Sequence, residues 1–379
     1  MKFNFIPLSR PFITDDEIIA VKEVLESGFL TTGRKVEEFE SQFARFIGDD
    51  IYAVALSSCT AGLFLSLLVC GVKEGDEVIV PTWTFVATSH VVLWCGARPV
   101  LCDVEEETLN IDVGQMERLV TSRTKAIIPV HFAGYPCKMD EIVNIANRYR
   151  LMVIEDAAHA IGTEYKGTKI GNFGHTTCFS FYATKNLTTA EGGMVVSKDR
   201  DVIEKIRKLS YFGINKEAFF RYTQKGSWFY EVEDLGYKFN MDNIHAAIGL
   251  VQLKKVEKMN ARRREIANMY REAFSSNPNI KLFEDLPMHR HSYHLFPIRI
   301  NRKVIRRDEF ILKLKERNIG CSVHFIPLHL HPFYSRKFNK DMFPVANKVY
   351  QEVVSLPIYP QMRDEDVYYV IENVNKLLS

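Results

Sequence analysis

No stretch of this 379-residue sequence is apolar for long enough to span a bilayer, and the opening Met1–Pro11 lacks the apolar core and small-residue cleavage point of a secretory leader. A cytosolic protein with no membrane partner is expected. Charge of one sign is also missing. Forty-nine Lys and Arg face 47 Asp and Glu, and the formal charge of +2 provides no broad basic face for nucleic acid. Cysteine is sparse, and the seven present, Cys59, Cys70, Cys95, Cys102, Cys137, Cys178 and Cys321, form no CxxC pair. That excludes a disulfide framework and a thiolate zinc site, and leaves most of them as small buried hydrophobes. Internal repeats and low-complexity tracts are absent too.

What is present is an ordinary globular composition, 46% hydrophobic and 25% charged. The length exceeds what one core usually serves, so a large domain and a smaller one are expected. Thr14 and Glu17 form a capping box ahead of Ile18, Val21 and Leu25, and Ser27-Gly28 ends that first helix. Short apolar runs then alternate with helical stretches: Ile51–Leu56, Glu77–Val80, Pro99–Asp103, Ala126–Val130, Leu151–Glu155, Cys178–Phe181 and Gly193–Val196. Between them, Ala61–Cys70, Phe85–Cys95 and Met139–Tyr149 have the length of crossover helices. Repeated βαβ units predict a seven-stranded, largely parallel sheet covered on both faces. Helices follow at Arg200–Leu209 and Asn243–Asn268. From Asn277 a smaller α+β domain is expected, with strand-like His294–Ile300 and Cys321–Phe325 around helical Arg307–Arg317. The division is drawn at 1–250 and 251–379.

In open α/β sheets ligands gather at the carboxyl ends of the strands. Three groups lie there. Ser57–Gly62 is a run of small residues opening a helix, whose free N–H groups and dipole suit a phosphate; read alone, it serves equally well as a plain helix start. Glu155–His159 puts two carboxylates and an imidazole at a strand end, where an acid serves as a cap, a metal ligand or the counter-ion of a positive heterocycle. The third, Cys178–Gly193, places Ser180 and Lys185 on a turn between two strand-like runs. A loop lysine is ordinarily a solvated surface residue, because burying an ammonium is costly. Together, however, a phosphate cradle, a carboxylate and a lysine beside an aromatic run are the parts a pyridoxal phosphate site needs.

These residues sit within a longer pattern: Glu26-Ser27-Gly28, Thr32-Gly33, Gly75–Pro81, Thr84–Thr88, Gly96–Val100, Ile128–His131, Glu155–His159, Ser180-Phe181 with Lys185, and Glu191-Gly192-Gly193. The chain resembles, over nearly its whole length, the DegT/DnrJ/EryC/StrS family of sugar aminotransferases. The resemblance implies the fold of type I pyridoxal-phosphate enzymes, like aspartate aminotransferase. It implies that Lys185 bonds to the cofactor and moves the proton, that Asp156 holds the ring nitrogen, and that Thr60 and Ser180 hold the phosphate with N–H groups near Ala61. It places Phe85 on the ring and His159 beside the phenolic oxygen. Members are homodimers with shared sites, and the matching stretch Gly236–Asn240 suggests that Lys238 or Asn240 reaches the partner's phosphate. Cys59 departs from a commoner glycine, and Lys238 with Asn240 from a commoner asparagine–arginine pair. Both variants, with Pro7–Pro11 and Val21–Leu25, resemble the branch that aminates a UDP-linked 4-keto-pentose for lipid A.

The implied reaction moves an amino group from an amino acid, usually L-glutamate, to the C4 keto carbon of a nucleotide-linked sugar for a cell-surface polysaccharide or lipid A, with ping-pong kinetics. The histidines at 289, 291, 324, 329 and 331 lack cysteine or carboxylate partners at ligand spacing, so no metal is expected; sugar or nucleotide contact is the reading for His324 and His329. Aromatic Phe219–Tyr222 and Trp228–Tyr230 suit a nucleotide base or a dimer contact. A sugar dehydratase on this scaffold is the first alternative, but such relatives carry histidine where Lys185 stands. A non-catalytic regulator is the second, and it predicts a damaged site or an added DNA-binding segment.

Overall fold

The computed structural model describes residues 4–214, 229–284 and 288–379. Helices α1 (Asp15–Ser27) and α2 (Arg34–Ile47) lead into strand β1 (Tyr52–Leu56). Thr14 caps α1 with Glu17 in a closed capping box, and Gly28 ends it in the left-handed conformation. The chain then alternates: α3 (Cys59–Val69), β2 (Glu77–Pro81), α4 (Ala87–Trp94), β3 (Arg98–Cys102), α5 (Val113–Arg118), β4 (Thr124–Ile127), α6 (Met139–Tyr149) and β5 (Met152–Asp156). A ribbon of β6 (Glu164–Tyr165) and β7 (Thr168–Lys169) precedes β8 (Thr176–Ser180), β9 (Gly193–Ser197) and α7 (Arg200–Ser210).

Seven strands form one sheet in the order β1-β9-β8-β5-β4-β2-β3. Every neighbouring pair is parallel except those of β9, which runs antiparallel to both β1 and β8. The link from β8 to β9, residues 181–192, forms no helix, and the chain turns straight back. This reversal matters for the site. It brings the amino end of β9 to the carboxyl ends of β1 and β8, with Gly193 paired to both Leu56 and Ser180.

Side chains alternate across the sheet as the pleat requires. Val153 and Val196 enter a core with α2, α6 and the first half of a long helix, whereas Ile154 and Val195 enter a second core with α3 and α4. That long helix, α8 (Asn243–Phe274), runs six residues beyond the predicted end at Asn268. After it come β10 (Ile280–Leu282), β11 (His289–Arg290), β12 (Phe296–Ile300), α9 (Arg307–Glu316), α10 (Pro332–Ser335), α11 (Pro344–Tyr350), β13 (Val353–Leu356) and α12 (Asp364–Leu377). Strands β10, β12 and β13 make a small antiparallel sheet, which with α9, α12 and the end of α8 encloses a third core.

Two packing facts bear on the division expected at 250/251, which we propose to place inside α8. Met259 belongs to the large core and Ile266 to the small one, while Ile6 packs in the small core and bridges Ile319. Cys321–Phe325 is not a strand: only Ser322 pairs, as an isolated bridge to Ser355. Predicted aromatic residues 219–222 and Trp228 lie outside the described residues. Phe229 and Tyr230 are described, and both are about half exposed.

Candidate active site

A cleft of about 480 Å³ opens at the carboxyl ends of the central strands. One end is the turn from β1 into α3. Ser58 is the N-cap, its Oγ accepting from the Ala61 N–H at 3.1 Å. Ala61, expected near the phosphate, has its N–H engaged by this cap and does not line the cleft. The N–H groups of Cys59 and Thr60 have no protein acceptor among the described residues, and both residues line the cleft. Gly193 allows this turn to sit against β9: a Cβ there would stand 2.4 Å from Cys59 N and 2.4 Å from the Ser58 carbonyl carbon. Ser180, across Gly193, completes this end.

Asp156 ends β5, 6% exposed. Thr88 Oγ1 donates to its Oδ2 at 2.8 Å, the Ala158 N–H donates to Oδ1 at 3.1 Å, and Thr84 supports Thr88 at 2.8 Å. Burial pushes its carboxyl above the ordinary range, opposed by these donors and by the Lys185 charge. A buried carboxylate with donors but no ion pair suits a cationic ring nitrogen. Its neighbour Glu155 faces away into a closed set of bonds from His131 Nε2 (3.0 Å), Gly174 N (2.8 Å) and Thr177 Oγ1 (2.7 Å).

Lys185 sits half-buried on the turn between β8 and β9. Phe181 N bonds Gly192 O at 2.9 Å, Thr189 N bonds Phe181 O at 2.9 Å, and Lys185 N bonds Tyr182 O at 2.9 Å, so the turn is fixed. The amine has no hydrogen-bond or salt-bridge partner among the described residues. Burial pushes it down to about 8, against the opposing pull of Asp156 and Cys59.

His159 lines the cleft with its Nδ1 accepting from Ala133 N at 3.2 Å. Burial, with the charges of Lys185 and His324, holds the ring far below its usual range, so it is neutral and carries its proton on Nε2. Phe85 lines the cleft with 60% of its surface open, which leaves an aromatic face for a planar ring. His324 also lines it, with Nδ1 3.0 Å from Ser355 Oγ. His329, expected to contact substrate, does not line it. It is 1% exposed, both ring nitrogens are engaged by Thr82 (2.7 Å) and Asn347 (3.0 Å), and it stacks on Phe343.

Lys238 and Asn240 lie outside this cleft on the same chain. Lys238 Nζ donates to Asn240 Oδ1 at 2.7 Å and sits 4.3 Å from the Tyr211 ring centroid. His289 stacks on Tyr165, and His291 on Tyr293. Three cleft residues were given no role in the sequence: Thr88, Phe325 and His294, whose ring lies 4.3 Å from that of His159. Only Thr88, inside the quoted block Thr84–Thr88, carried a signal.

The residues fit pyridoxal phosphate on this geometry alone. Free N–H groups beside Ser180, a carboxylate without an ion pair, an unpartnered amine and an exposed aromatic ring all line one cleft. The family model described as the DegT/DnrJ/EryC1/StrS aminotransferase family matches residues 11–375. An uncharacterised protein of Methanocaldococcus jannaschii is 51% identical, covering 99% of this chain and 98% of its own. The spore coat polysaccharide biosynthesis protein SpsC of Bacillus subtilis is 48% identical over 99% and 98%. Spr1654 of Streptococcus pneumoniae, described as a sugar aminotransferase, superposes in its PMP form with a TM-score of 0.92 at 34% identity, covering 98% of each chain. The chain belongs to the DegT/DnrJ/EryC1/StrS aminotransferase family and is a pyridoxal-phosphate-dependent sugar aminotransferase.

Proposed function

We propose that this enzyme transfers the amino group of an amino acid, L-glutamate, to the C4 keto carbon of a nucleotide-linked sugar, in the cytoplasm. The product feeds a cell-surface polysaccharide or a lipid A sugar. The observation that carries the reading is the unpartnered Lys185 amine beside Asp156. The similarity to SpsC, a polysaccharide biosynthesis protein, supports the product class.

Bound pyridoxal phosphate supplies an electron sink for a carbanion next to nitrogen. The chain's own residues do the rest. Asp156, held by Thr88 and Ala158, keeps a negative charge at the ring-nitrogen end. With its amine near 8, Lys185 is about one-tenth neutral at pH 7, and that fraction takes a proton at Nζ and returns it to another carbon. His159 offers Nε2–H, Thr60 and Ser180 hold the phosphate, and Phe85 covers one face and excludes water.

We place Lys238 and Asn240 at the other site of a homodimer. Their position outside the cleft of their own chain favours this. Lysine at 185 favours transamination over dehydration. The test is a panel of 4-keto and 3-keto nucleotide sugars, UDP-linked 4-keto-pentose among them, offered with L-glutamate while 2-oxoglutarate is followed. Release with a 4-keto substrate is expected; release with 3-keto substrates alone would overturn the C4 assignment.

A further inference from the structure

The neighbour of the reactive lysine in sequence begins a buried hydrogen-bond chain. Asn186 Nδ2 donates to the Ser292 carbonyl and to Asn260 Oδ1, each at 2.8 Å. Asn260 Nδ2 donates to the Ile161 carbonyl at 2.9 Å. Carbonyl oxygens only accept, so both amides are oriented without ambiguity. Asn186 Oδ1 is thereby turned towards His294 Nδ1, 3.1 Å away. An amide oxygen also only accepts, so His294 carries its proton on Nδ1.

His294 is 7% exposed, and it is neutral. Burial, with the charges of His159, Lys185, Arg263 and His324, holds its ring far below the usual range. Arg263, a buried guanidinium on α8, donates to the Tyr293, His294 and Ile358 carbonyls at 3.3, 3.5 and 2.8 Å. A neutral ring with Nδ1–H has a bare lone pair on Nε2. The two stacked imidazoles of the cleft, rings 4.3 Å apart and tilted by 33°, therefore differ in polarity. Ala133 N–H makes His159 a donor at Nε2, and Asn186 makes His294 an acceptor there.

We propose that His294 is a positioning residue for Lys185: Asn186 fixes its tautomer, and its Nε2 lone pair accepts a hydrogen bond from the Lys185 amine. An ammonium has donors only, and the Lys185 amine feels the Asp156 charge without a hydrogen bond to it. Lys185 and His294 line the same cleft and the lysine charge acts on the His294 ring, while Asn186, next to Lys185 in sequence and bonded to His294, is anchored to Asn260 on α8. The consequence is that the freed amine stays near the reacting carbon rather than turning to solvent. This inference rests on Lys185 being the reactive lysine.

The test uses the full-length chain freed of cofactor. Histidine labelled with ¹⁵N reports the tautomer: a neutral His294 protonated on Nδ1 is expected, and protonation on Nε2 overturns the proposal. Asparagine places its amide where Nδ1 lies, and glutamine where Nε2 lies. The pH at which Lys185 is half-acylated by an amine-reactive reagent, read by peptide mass spectrometry, is then compared. Asp156, Cys59, His159, His324 and Arg263, which also face this pair, are kept in every variant. Loss of the acceptor disfavours the ammonium, so His294→Asn shifts the half-point down by about one unit, a tenfold gain in reactive amine at low pH. His294→Gln stays within threefold of the parent. The reverse order, or no shift in either, overturns the proposal. Borohydride labelling of Lys185 in the parent separates the outcomes: a labelled Lys185 with no shift removes only this inference, and an unlabelled one removes the reading beneath it.

Discussion

Replacing Gly193 with alanine puts the phosphate cradle itself under test. The added Cβ would stand 2.4 Å from Cys59 N and 2.4 Å from the Ser58 carbonyl carbon, backbone atoms that cannot swing aside. Ordinary contact begins near 3.4 Å, so the turn that presents Cys59 and Thr60 N–H must retreat by roughly 1 Å. A charge-assisted hydrogen bond contributes about 1.5–3 kcal/mol and weakens steeply with such a shift. Losing two N–H contacts costs roughly 3 kcal/mol or more, a hundredfold or greater rise in the cofactor Kd. Overpacking lowers the stability of the cofactor-free chain by only about 1–3 kcal/mol. Fluorescence titration with pyridoxal phosphate gives the Kd, and denaturant melting of the cofactor-free protein gives the stability. A Kd within threefold of the parent, with the fold intact, would refute the placement of the phosphate at Ser58–Thr60.

Thr88→Val keeps the shape but removes the 2.8 Å donor to Asp156, so roughly a tenfold fall in kcat is expected from steady-state assays, with little change in KM. His329→Gln, outside the cleft, should lower stability by about 1–2 kcal/mol in urea melts and leave kcat and KM within twofold. Burial pushes His291 to about 3 and His324 to about 4 in the folded chain, whereas both titrate near 6.5 when unfolded. The folded state then binds fewer protons, so their contribution is complete above pH 6.5 and is lost as pH falls towards 4. Stability measured between pH 6.5 and 5 should fall with pH, and the slope should shrink by about one proton in His291→Phe.

Much of this was legible because a parallel sheet writes itself plainly: each of the seven apolar runs became a strand, and Thr14 with Glu17 closed the predicted capping box. The direction of β9 was not legible, since a buried strand shows the same apolar run whichever way it lies. The end of α8 was not legible either: the helix continues past Asn268 to bury Tyr270 and Phe274 in the small core, a tertiary contact that local pattern does not show. Single histidines carry no signal of whether both nitrogens will be used. His329 was thus read as a contact when it is enclosed, and His294 passed unread. Ala61 lost its N–H to the cap one turn earlier, a competition that spacing does not reveal.

The central claim, that Lys185 holds the cofactor, is tested most directly by reducing the yellow holoenzyme with borohydride, digesting it and locating the added mass. The account predicts one pyridoxyl group per chain, on the peptide carrying Lys185, and none in Lys185→Ala. A label on any other lysine, or full labelling of Lys185→Ala, would contradict it.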